Sequence, residues 1–147
     1  MLWFDNDLAQ GPSSVSEGPN SFKSRDGFQR LANAMRYSVA GFRYAIKNEA
    51  SIRQELLAIA VLTPVSVVLR VSRLEHLTLV VSMLLVLMVE FLNSSIEAAV
   101  DRVSLEEHPL AGQAKDLGSA AVFVSLLIWG ASWTAIIGPL VVGAIKR

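Results

Sequence analysis

The chain of 147 residues contains no cysteine. That excludes a disulfide framework, a thiolate metal site and a cysteine nucleophile. It has no net charge either, with 13 basic residues set against 13 acidic ones, so no global basic field invites nucleic acid. Three nucleotide and metal signatures are missing: GxxxxGK[ST], GxGxxG and HExxH. The amino terminus lacks the basic segment and apolar run of a secretory signal and carries Asp5, Asp7 and Glu17 instead. Glycine, proline, serine and asparagine crowd residues 11–21, a composition that predicts a disordered tail over residues 1–24.

What the chain has in excess is apolar sequence. Hydrophobic residues make up 52% of it, and the mean hydropathy is +0.46. Three apolar segments follow the tail, beginning near Leu56, Leu77 and Leu117. They predict membrane helices over about 51–70, 76–100 and 116–142, each near the roughly 20 residues that a span needs. The first apolar run is short and holds Pro64, so it can cross only if flanking residues extend it or the bilayer thins. A soluble bundle would require polar helix faces. Residues 80–89 offer only Ser82.

Lysine and arginine set the expected orientation. Seven precede the first span, and Arg102 and Lys115 lie between the second and third. Placing these nine in the cytoplasm leaves Arg70, Arg73, Lys146 and Arg147 outside. The amino terminus is thus expected inside and the carboxyl terminus outside. Phe28, Leu31, Met35, Val39, Phe42 and Ile46 recur at intervals of three and four. This stripe predicts an amphipathic helix over 28–47, lying on the membrane surface or packed on the cytoplasmic end of the bundle.

The chemistry concentrates after the second apolar run. Glu90, Asn93, Glu97 and Asp101 are spaced three, four and four and share one helix face. A carboxylate at the bilayer boundary is costly, so Glu90 is either functional or a polar contact that fixes helix packing. Glu49 and Glu55 precede the first apolar run and, six residues apart, do not share a helix face. Glu49 could meet Glu97 across helices, and two carboxylates together with phosphate oxygens make a usual cage for magnesium, whereas each alone would be an end-of-helix charge. Lys115 could neutralise phosphate. Asp116 could hold a ribose, a metal or Lys115, or cap the third span. The sequon at Asn93-Ser94-Ser95 is formal only.

The run from Met88 through MVEFLNSSIEAAVDRVSLEEHPLAGQAKDLGSAAV resembles the signature of the prokaryotic diacylglycerol kinase family. Upstream, GFQRLANAMRYSVAGFRYAIKNEASIRQE is similar to the surface helix of that family and its N-E-A-x-x-R-Q-E segment. The resemblance covers the chain from Gly27 onward. It implies an all-α membrane protein, an amphipathic surface helix plus three transmembrane helices assembled as a homotrimer with shared active sites, in the bacterial inner membrane. The implied reaction transfers the γ-phosphoryl group of MgATP to the hydroxyl of diacylglycerol. By position, Glu90 would be the catalytic base, and Glu49 and Glu97 would bind Mg2+. Arg30, Tyr37, Glu49, Glu97, Glu106, Glu107, His108, Lys115 and Asp116 would line the nucleotide site, supported by Asn93 and Asp101. Arg30, Ala34, Met35, Arg36, Tyr37, Ser38, Val39, Ser51, Ile52, Arg53, Gln54, Glu55, Glu90 and Ser119 would contact the lipid.

Some positions depart from the family pattern. Val39 replaces a common aromatic, Glu107 a common tyrosine and Gln113 a common basic residue. His108-Pro109-Leu110 resembles the related undecaprenol kinases, which use the same chemistry on a longer acceptor. A non-enzymatic transport or proton-relay subunit using Glu90 is the alternative of another class.

Overall fold

The computed structural model describes residues 27–69, 71–103 and 108–146. The expected tail over 1–24 and the expected site residues Glu106 and Glu107 lie outside the described residues. Four helices follow one another: α1 Gly27–Asn48, α2 Ala50–Val68, α3 Arg73–Val103 and α4 Pro109–Ile145. The described residues are all-helical apart from the joints between these elements. The chain divides into two compact units, one ending at Val39 and one beginning at Ala40.

In the first unit, the opening half of α1 presents its apolar stripe, Phe28, Leu31, Met35 and Val39, as exposed side chains. In the second unit, α3 packs against both α2 and α4. Three helices are long and apolar enough to cross a membrane: α2, α3 and α4. Flanking residues do extend the Pro64 segment, because α2 continues from Ala50 to Val68 through the proline. Its 19 residues measure about 28 Å, close to the hydrocarbon thickness of about 30 Å. The 31 residues of α3 and 37 of α4 run to about 46 and 55 Å and must project beyond it.

Each junction has its own chemistry. Between α1 and α2 only Glu49 leaves helical geometry, at φ −103° and ψ 117°. Arg53 reaches back across this elbow and donates to the carbonyls of Ile46 and Lys47 at 3.1 and 3.4 Å. These are among the last carbonyls of α1, which lack helical partners and favour a cation. Between α2 and α3, Ser72 and Glu75 form a reciprocal cap. The Ser72 amide donates to the Glu75 carboxylate at 2.7 Å, and the Glu75 amide donates to Ser72 Oγ at 3.3 Å. Beside it, buried Ser66 donates to the Thr63 carbonyl at 2.7 Å and meets His76 Nδ1 at 3.0 Å. The hydroxyl proton is committed to Thr63, so the imidazole supplies the proton of the second bond.

Candidate functional site

The α1–α2 elbow lies alongside the Glu90 turn of α3. Phe42 stacks edge-on against Phe91 with ring centroids 4.9 Å apart. Ala45, Ile52 and Leu87 share a buried cluster. Glu49 sits at this elbow, half-buried, and its carboxylate makes no capping bond to α2 among the described residues.

Along α3 the four expected polar residues grade from buried to exposed. Glu90 is 8% and Asn93 9% exposed, Glu97 is half-buried, and the Asp101 side chain is 55% exposed. One helix face thus passes from enclosed to open over three turns, with Glu90 at its buried end. Asn93 Nδ2 donates to Glu97 Oε1 at 3.0 Å, fixing the carboxylate in one orientation. At the outer end Lys115 bonds Asp101 at 2.6 Å, tying the projecting ends of α3 and α4 together. The sequence left Lys115 free to pair with its neighbour Asp116; the partner is Asp101, fourteen positions away.

The start of α4 also differs from expectation. Asp116 does not cap this helix, which begins seven residues earlier at Pro109. His108 is the cap, its Nδ1 accepting from the Leu110 amide at 3.2 Å. Proline at the first helical position adds no unsatisfied donor. Asp116 and Ser119 are exposed within α4.

Glu55 is not the solvated helix-end charge that its position allowed. It is half-buried, and its Oε2 is buried without a hydrogen-bond partner among the described residues. It borders a groove otherwise lined by Ala58, Ile59, Met83, Val86, Leu126 and Trp129, from all three long helices. Of the other expected lipid contacts, Ile52 is fully buried, Ser51 half-buried, and Arg53 and Gln54 exposed.

In the first unit, Arg30, Ala34, Met35, Arg36, Tyr37, Ser38 and Val39 are all exposed on α1. The Arg36 guanidinium stands 5.4 Å from the Tyr37 ring centre, within cation–π range. The Ser38 hydroxyl is turned back onto the Ala34 carbonyl at 3.0 Å.

Among the described residues no three histidine or acidic side chains gather into a metal-binding cluster. The donors that the sequence pairs for a metal, Glu49 and Glu97, are hard carboxylate oxygens. Such donors suit a magnesium ion that arrives on phosphates and keeps much of its coordination there. One contributor escaped the sequence reading. Gly118 of α4 is buried against Asn93; its place within DLGSAA was visible, but not the residue across from it.

Three helices long and apolar enough to span a bilayer, one of them carrying a polar face, define the class as a membrane protein. Comparison with known proteins gives the family. Residues 36–137 match the family described as prokaryotic diacylglycerol kinase. The diacylglycerol kinase of Pseudomonas aeruginosa is 50% identical over 119 residues, covering 81% of this chain and 97% of that protein. Those of Haemophilus influenzae and Escherichia coli are 40% and 43% identical, over 76% and 73% of this chain and 94% and 88% of their own lengths. The chain belongs to the prokaryotic diacylglycerol kinase family. It is a membrane enzyme of the kinase class. The relatives favour the diacylglycerol branch over the undecaprenol kinases and do not favour the transport-subunit reading.

Proposed function

We propose that the chain transfers the γ-phosphoryl group of ATP, carried with Mg2+, to the hydroxyl of diacylglycerol, giving phosphatidic acid. The observation that carries the mechanism is Glu90, a carboxylate 8% exposed at the inner end of a polar helix face. The acceptor hydroxyl of a membrane lipid lies near the interface, and its base must lie there too. Glu90 takes the hydroxyl proton as the lipid oxygen attacks the γ-phosphorus and the bond to the β-phosphate oxygen breaks, releasing ADP.

Bound magnesium would draw charge from the transferring phosphoryl group. Glu49 and Glu97 are its protein ligands in this reading, and the hydrogen bond from Asn93 holds Glu97 in place. Lys115 exchanges its Asp101 partner for phosphate oxygens when the nucleotide binds. Arg30, Tyr37, Glu106, Glu107, His108 and Asp116 complete the nucleotide site, and the lipid lies against residues of α1, 51–55 and Ser119. These assignments rest on the family resemblance and on the position of each residue along its helix.

The same resemblance supports a homotrimer with active sites shared between subunits, in the inner membrane of a bacterium. The distribution of lysine and arginine supports a cytoplasmic amino terminus and an external carboxyl terminus. The test is phosphorylation of diacylglycerol by the purified protein in mixed micelles with MgATP, beside undecaprenol as acceptor. Preferential labelling of diacylglycerol is the expected result, and labelling of undecaprenol alone would overturn the choice of acceptor.

A further inference from the structure

Gly118 is buried where α4 meets α3. A Cβ built there would collide with Asn93 Oδ1 and lie 3.3 Å from Asn93 Cγ and 3.9 Å from its Cα. Nothing stands within 4 Å of a Cβ built at Gly112, Gly130, Gly138 or Gly143, the other glycines of α4. The close approach is therefore particular to this position.

The Asn93 amide has two different ends, and the arrangement uses the difference. A carboxylate only accepts, so the amide must turn its NH2 towards Glu97, as the 3.0 Å bond shows. The amide oxygen is then forced to the opposite side, towards Gly118. There it is buried with no hydrogen-bond partner among the described residues. A buried oxygen without a partner is costly. The alternative rotation would set the amide oxygen against the Glu97 carboxylate, two acceptors facing each other. The absence of a side chain at position 118 leaves the space into which the oxygen turns.

We infer that Gly118 is a positioning residue for phosphoryl transfer: the space it leaves seats the Asn93 amide between α3 and α4, and that amide orients the Glu97 carboxylate for the metal-bound nucleotide. The inference rests on the proposed role of Glu97. With Gly118→Ala, the added methyl displaces the amide, and Glu97 loses its donor.

The experiment uses the full chain in mixed micelles, with Gly118→Ala, Asn93→Ala, the double variant and Glu97→Gln. Three readings are taken: the magnesium needed for half-maximal lipid phosphorylation, oligomeric state with thermal unfolding, and the Asn93 side-chain NH2 resonances of the metal-free protein. Gly118→Ala is expected to raise the magnesium requirement on the order of tenfold, the scale of one lost hydrogen bond to a charged group. It should also shift the Asn93 resonances and remove their protection from exchange. Asn93→Ala should raise the requirement similarly, and adding Gly118→Ala to it should cost nothing more, since the two act through one bond.

Equal losses from Gly118→Ala in both backgrounds, or unmoved Asn93 resonances, would overturn the inference. If Gly118→Ala does not insert, the double variant decides. Insertion regained without the amide supports the seat, and continued failure overturns it. Glu97→Gln separates the two levels. An unchanged magnesium requirement there defeats the metal-ligand reading itself. A raised requirement there, with none in Gly118→Ala, defeats only the role of Gly118.

Discussion

Glu90 and Glu97 are identical in chemistry and two turns apart on one helix face, yet their surroundings differ. Glu90 is enclosed at the end of an apolar run, while Glu97 is half-buried and held by an amide. Their substitutions should therefore fail differently. Glu90→Gln keeps size and removes the base, so the chemical step should slow by about a hundred- to ten-thousand-fold, with little change in the magnesium requirement. Glu97→Gln should raise that requirement as well as slow the reaction. Both should insert, since neutralising a carboxylate lowers its membrane cost. A magnesium titration of lipid phosphorylation for each variant checks the split; near-normal turnover in Glu90→Gln would remove the base from its assigned role. Lys115 supplies a second residue-scale contrast. Its bond to Asp101 joins two well-exposed side chains, and such solvent-screened pairs contribute little to stability. Lys115→Ala should hence leave thermal unfolding nearly unmoved while raising the KM for ATP. Matching losses of stability and activity would make it a structural staple only.

At the scale of elements, the two ends of the bundle serve different ends. The α2–α3 joint is held by the Ser72–Glu75 cap and the Ser66–His76 bond, well separated in sequence from the proposed site residues of α3. Ser72→Ala removes one side of the cap and should lower stability by about 0.5–2 kcal/mol. Phosphorylation rates below the unfolding transition should stay near those of the parent. Thermal unfolding in micelles alongside the rate measurement tests this, and a large loss of rate with normal unfolding would couple this joint to the site. Ser72-Arg73-Leu74-Glu75 has the S-x-x-E pattern of a capping box, a signal that the sequence reading passed over. The start of α4 was less legible, because the apolar run begins only at Leu117. The polar residues Gly112 to Asp116 read as loop by composition, yet His108 and Pro109 open the helix before them. The projecting, polar first turns of α4 owe their helical form to that cap and to packing on α3.

For the whole molecule, three helices are long and apolar enough to span, and an odd number of crossings would put the chain termini on opposite sides. A reporter fused after Arg147 should lie outside the cytoplasm, and one inserted within 106–113 should lie inside. Two tags reporting one side would refute the three-span arrangement. The family match begins at residue 36, and residues 1–24 fall outside the resemblance. Deleting residues 1–24 should leave insertion and lipid phosphorylation nearly unchanged, as measured on the truncated protein in the same micelles.

Much of this was determined by sequence alone, for reasons of solvent. Backbone groups in a bilayer must bond within their own segment, so long apolar runs had to become helices. Helical periodicity then put Glu90, Asn93, Glu97 and Asp101 on one face before any neighbour was known. Tertiary structure decided what lies across from that face. Periodicity describes a helix but not its partner, so it could not pair Lys115 with Asp101. Nor could it enclose Glu55 beside an apolar groove or bring Gly118 against Asn93. Those outcomes depend on the relative register of α2, α3 and α4, which close packing between helices fixes and no single segment encodes.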